Sequence, residues 1–96
     1  MPPRDRSDVL EVVTRVVHSW DPYGLLAGGC PADEFDSEIR AVCRQTSRIR
    51  SAIDAAHVLS RVFRSSFNDN ERFSPEACKQ SGEALYAALR ATGAVD

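Results

Sequence analysis

A chain of 96 residues is long enough for one domain with its own core and too short for two. With 43% hydrophobic and 27% charged residues it has the make-up of a globular protein, and a net charge of −2 argues against a general polyanion binder. No apolar run approaches the roughly 20 residues of a membrane helix; the longest, Val9 to Val17, is broken by Glu11 and Arg15.

Residues 1–6 carry two prolines and alternating charges, offer nothing to bury, and are expected to form a flexible leader to a single domain over residues 7–96. The start, MPPRDRSD, lacks the apolar core of a signal peptide, which points to the cytoplasm. Ser7 can cap a first helix with Asp8 and Glu11 near its positive end. Val9, Val12, Val13, Val16, Val17 and Trp20 then recur every three or four residues, a helical stripe that outranks the strand preference of valine.

Asp21-Pro22-Tyr23-Gly24 ends that helix, because Pro22 biases Asp21 away from helical backbone and Gly24 can take a positive φ. Leu25, Leu26 and Ala27 follow before Gly28-Gly29; exposed leucines are costly, so this loop is expected to fold back on the core with Trp20 beneath it. Pro31 suits the first turn of a second helix with Asp33 and Glu34 near its amino end. Phe35, Ile39, Val42, Cys43 and Thr46 trace its buried face, and Asp36 and Arg40, four apart, are placed to pair.

The polar run Gln45 to Arg48 suggests a break, with Ser47 or Ser51 restarting the chain. A third helix over about Arg50 to Ser66 turns Ile53, Ala56, Leu59, Val62 or Phe63, and Phe67 inward. After a loop from Phe67 to Ser74, Ser74 and Pro75 fit the N-cap and first turn of a last helix that Gly93 terminates. Cys78, Gly82, Leu85, Ala88 or Leu89, and Thr92 face inward, and the small residues Ala77, Ser81 and Gly82 permit close approach of a neighbour. The expected fold is all-α, a compact bundle of about four helices with the loop after helix 1 packed on the core.

Few chemistries survive inspection of the remaining residues. Asp21, Asp33, Glu34, Asp36 and Glu38 crowd one stretch, but they lack the spacing and central glycine of a calcium loop and are accounted for as helix-start acids. His18 and His57 have no sequence-adjacent nucleophile. Gly24, Gly28 and Gly29 form no phosphate-binding pattern. Cys30, Cys43 and Cys78 read as small buried hydrophobes in a reducing compartment. No catalytic, cofactor or metal residue is therefore assigned.

Arginine supplies eleven of the twelve cations. Between positions 40 and 64, six arginines face Asp54 alone, and Arg40, Arg44 and Arg48 form a row if the second helix persists to Arg48. Such a row reads first as a solvated helix face; beyond that it suits an acidic protein surface or, as a weaker alternative, nucleic acid.

Trp20-Asp21-Pro22, Gly24-Leu25-Leu26, Pro31 and Asp33-Glu34-Phe35-Asp36 with Glu38-Ile39 resemble the motifs of a family of small uncharacterised bacterial proteins typified by the YugE-like domain. The resemblance covers most of residues 10–92 and implies a compact all-helical fold; it brings no established activity. Phe35 stands where the family commonly has tyrosine, which removes a hydroxyl and argues against catalysis there.

The leading expectation is a non-enzymatic cytoplasmic interaction module of immunity-like or adaptor type, with another protein as partner and no membrane. Trp20, Asp21, Pro22, Gly24, Leu25, Leu26, Pro31 and Phe35 would form a structural clasp, and Asp33, Glu34, Asp36, Arg40, Arg44 and Arg48 an interaction surface. The alternative is a small metal- or metabolite-dependent enzyme using Asp21, Asp33 and Asp36. Oligomeric state is left open.

Overall fold

The valine stripe winds into helix α1, Arg6–Trp20, in a computed structural model that describes residues 6–95, with side chains from residue 8 to residue 95. Val12, Val13 and Val17 are buried, and Val9, Val16 and Trp20 pack on them half-exposed. Burial worth about 1.5–3 kcal/mol per side chain outweighs a helix-propensity cost of at most about 0.7 kcal/mol per valine. Residues 1–5 of the expected leader and the Ser7 side chain lie outside the described residues, and Arg6 already belongs to α1.

Three more helices follow: α2, Asp36–Arg44; α3, Ala52–Phe67; and α4, Lys79–Thr92. Two 3-10 turns, Pro22–Gly24 and Thr46–Arg48, sit after α1 and α2, and no strand occurs among the described residues. The protein is all-α, as expected. Helix α4 packs along α3 and α1, while α2 bridges α1 and α3, giving a body of 41 × 27 × 18 Å.

The restart after α2 belongs to Ser51, whose hydroxyl accepts from the Asp54 N–H at 3.1 Å, while the Asp54 carboxylate accepts from the Arg50 N–H at 3.0 Å. Two other helix starts come later than the prolines suggest. Pro31 opens a turn held by Glu34 N–H to Pro31 C=O at 3.0 Å, and regular α-helix begins only at Asp36. Ser74 does cap a turn, accepting from the Ala77 N–H at 3.1 Å, yet regular helix waits until Lys79. At the other end of α4, Gly93 at φ 78° closes a Schellman motif, with Ala94 N–H on Leu89 C=O and Gly93 N–H on Arg90 C=O, both at 3.0 Å.

Phe35, Phe63 and Phe73 are fully buried at one end of the core, with Ile39, Val42, Leu59, Leu85 and Leu89 filling the rest. Ile53, expected inward, is 71% exposed. At 100° per residue it falls roughly 120° from the centre of the buried arc running from Ala55 to Phe63. One turn on, Ala56 meets Gly82 so closely that a Cβ on Gly82 would stand 2.6 Å from the Ala56 nitrogen. Two small residues thus draw α3 against α4 and leave Ile53 beside the seam.

Candidate functional site

The stretch from Trp20 to Phe35 is a built loop. The last α1 hydrogen bond, Asp21 N–H to Val17 C=O at 2.8 Å, is followed by Asp21 in the left-handed region at φ 46°, a conformation aspartate tolerates better than most residues. Its carboxylate reaches forward and accepts from Leu26 N–H at 2.8 Å and Ala27 N–H at 3.0 Å. Gly24, at φ 63°, takes the positive value expected of it, and Gly29, at φ 99°, lets Cys30 N–H return to Leu25 C=O at 2.9 Å. The result is a single helical turn capped at both ends. Leu25 and Leu26 pack half-buried on the core, as anticipated, and Pro22 and Phe35 are buried, whereas Pro31 stays exposed.

Trp20 differs from expectation. It is only partly buried, and its ring contacts are Phe63 at 4.9 Å and Phe73 at 5.7 Å between centroids. Its other side lines an open groove of about 490 Å³ between α1 and α4, together with Arg15, Ser19, Gln80 and Ser81.

Tyr23, Asp69, Arg72 and Phe73, none of them among the expected clasp residues, join this clasp to the loop after α3. Tyr23 has φ 64°, a costly value for a bulky side chain, and its side chain is tied at several points. Its hydroxyl donates to Asp69 Oδ2 at 2.7 Å, the Arg72 guanidinium lies 4.4 Å over its ring, and Phe67 and Phe73 pack at 5.5 and 5.6 Å. Asp69 in turn accepts from the Arg72 N–H at 3.1 Å, and Asn68, at φ 54°, turns the chain out of α3. The buried Ser60 hydroxyl donates to the Phe73 carbonyl and anchors that loop from below. The hydrogen bond from Tyr23 holds Asp69 below the ordinary carboxylate value, and the same bond raises Tyr23.

Charge is arranged along α2. Asp33, Glu34 and Asp36 are exposed at its amino end, and Arg40 and Arg44 are exposed one turn apart toward its carboxyl end, an order that suits the helix dipole. Asp36 and Arg40 do not form the expected pair. The arginine row does not share one helix either: α2 stops at Arg44, where Gln45 leaves helical backbone, and Arg48 ends the following 3-10 turn. Arg61 of α3 reaches the same place, its Nη1 3.4 Å from Gln45 Oε1, and Arg50 is exposed just beyond. Arg44, Arg48 and Arg61 thus lie near Gln45, with Arg40 one turn back on α2 and Arg50 just past the 3-10 turn, and no guanidinium of the five has an acidic partner among the described residues.

The acids considered for a metal do not converge. Asp21 spends both oxygens on backbone N–H groups, and no group of three His, Cys, Asp or Glu side chains placed to hold an ion occurs among the described residues. Glu38 is buried and accepts from the Ser37 hydroxyl. His57 is exposed on α3; His18 is half-buried, with Nε2 lacking a hydrogen-bond partner among the described residues. Cys78 is buried, and desolvation pushes its thiol up to about 11, while Cys30 and Cys43 are half-exposed. Set against known proteins, the chain matches no family model, no curated protein and no solved structure.

Proposed function

We propose that the protein is a non-enzymatic cytoplasmic interaction module, of immunity-like or adaptor type, that engages an acidic partner protein through the arginines around Gln45. The observation that carries this reading is five exposed arginines whose guanidinium groups form no ion pair among the described residues, in a chain whose net charge is −2. Unpaired like charges repel, so their concentration costs the fold and is offset once a partner of opposite sign covers them. Guanidinium groups bind carboxylates in a two-pronged geometry that favours an acidic protein surface. The chain's overall acidity disfavours a long polyanion such as nucleic acid. Kinship with the YugE-like domain is part of the same proposal and rests on the Trp20-Asp21-Pro22 and Asp33-Glu34-Phe35-Asp36 motifs.

A pull-down from the source cell at low salt tests the reading, with the wild-type chain beside Arg44→Glu/Arg48→Glu. The wild type is expected to retain an acidic protein that the double variant loses and that added salt releases. Recovery of nothing by the wild type, or equal recovery by the variant, overturns the proposal.

A further inference from the structure

Ile53 is the most exposed large hydrophobic side chain among the described residues, at 71%, and it stands at a groove of about 190 Å³ between the start of α3 and the approach to α4. Ala52, Ala56 and Pro75 share the apolar lining with it, and Glu76, Lys79 and Glu83 stand along the α4 side. The close seam between Ala56 and Gly82 makes this groove: small residues there bring the helices together and leave no side chain to cover Ile53.

The charges beside the groove indicate what covers it. Lys79 and Glu83 lie one turn apart on the same side of α4, both exposed, and they form no ion pair with each other or with another described residue. Lysine preceding glutamate is the weaker order for pairing within a helix. A two-fold axis crossing α4 between these residues runs two copies of the helix antiparallel and sets Lys79 of each copy against Glu83 of the other. An isologous contact requires such self-complementarity, an apolar centre flanked by its own matching charges. A partner of uniform charge would instead oppose Lys79 or Glu83 and leave it desolvated without a counter-ion.

We propose that the α3–α4 flank around Ile53 seats a second copy of this chain, forming a two-fold dimer in which Ile53 enters the groove of the other copy and Lys79 pairs with Glu83 across the axis.

Sedimentation equilibrium of the full chain over a range of concentrations decides the matter. The wild type is expected to dimerise. Ile53→Asp, Lys79→Glu and Glu83→Lys are each expected to weaken the dimer at least about tenfold. The charge swap Lys79→Glu/Glu83→Lys restores association, because the pair re-forms with its signs exchanged. Circular dichroism of each variant separates a lost interface from a lost fold, and the swap keeps the test valid if Ile53→Asp fails to fold. A wild type that stays monomeric at the highest concentration, a dimer indifferent to Ile53→Asp in a folded variant, or single charge variants that the swap does not rescue overturns the proposal. Capture of a different protein in the groove of a monomeric chain does so as well.

Discussion

Tyr23 carries an unfavourable backbone angle, φ 64°, and its side chain is what holds it there. The hydroxyl bond to Asp69 joins the clasp to the loop after α3, two segments 46 residues apart in the chain. Because Asp69 is held below its ordinary 3.8, chiefly by the Tyr23 hydrogen bond and then by the Arg72 N–H, its contribution to stability is present above that value. It is lost as pH falls through the lowered folded value. Tyr23 is raised above its ordinary 10.0 by the same bond, so its contribution is present below that pH and lost as pH rises through the raised value. Asp69→Asn is therefore expected to melt below the wild type at neutral pH, with the difference closing under strongly acid conditions. Thermal melts of both proteins across pH check this. A gap that persists unchanged in acid means the carboxylate charge contributes nothing and the loss comes from replacing an acceptor oxygen with an amide NH2.

Helix contacts set a different kind of constraint at Gly82. Replacing a helical glycine with alanine gains about 1 kcal/mol in propensity where there is room. Here the new Cβ would lie 2.6 Å from the Ala56 nitrogen and 2.7 Å from its Cα, backbone atoms that yield only if α3 and α4 move apart. Overpacking of this kind costs about 1–3 kcal/mol, so Gly82→Ala is expected to be net destabilising. Urea denaturation checks the sign, and a variant as stable as the wild type would show the two helices free to separate. The closeness of Gly82 was legible in the sequence, as were the stripes of α1 and α2 and the turn residues Gly24, Ser51 and Gly93, because periodicity and caps act over four residues or fewer. Ile53, Ile49 and Phe73 were not. Ile53 matched the spacing of the stripe, but the buried arc of α3 is fixed by where α4 lies. Ile49 and Phe73 belong to connections, and only the tertiary fold turns them inward, Phe73 through the Ser60 hydroxyl. Tyr23 and Asp69 escaped notice for the same reason, since nothing local links residues so far apart in the chain.

Over the whole molecule, α2 separates the charges. Eight rises of 1.5 Å put about 12 Å between Asp36 at one end and Arg44 at the other, with Arg40 about midway. Arg44, in the last turn of α2, gains from the helix dipole, which offsets part of its repulsion with Arg40. Arg48 has no such compensation: its 3-10 turn is three residues long, with Arg44 and Arg50 near it in the chain. If the arginines serve a partner rather than the fold, Arg48→Gln should leave stability within about 0.5 kcal/mol of the wild type, on the stabilising side, while weakening partner capture. The gain should be larger at about 0.01 M salt, where charges interact over roughly 30 Å, and fade near 1 M, where the range falls to about 3 Å. Urea denaturation of both proteins in the two salts measures it. A loss of more than about 1 kcal/mol in both salts would mean that Arg48 holds its turn through the packing of its long side chain, and the arginines around Gln45 would then be part of the scaffold.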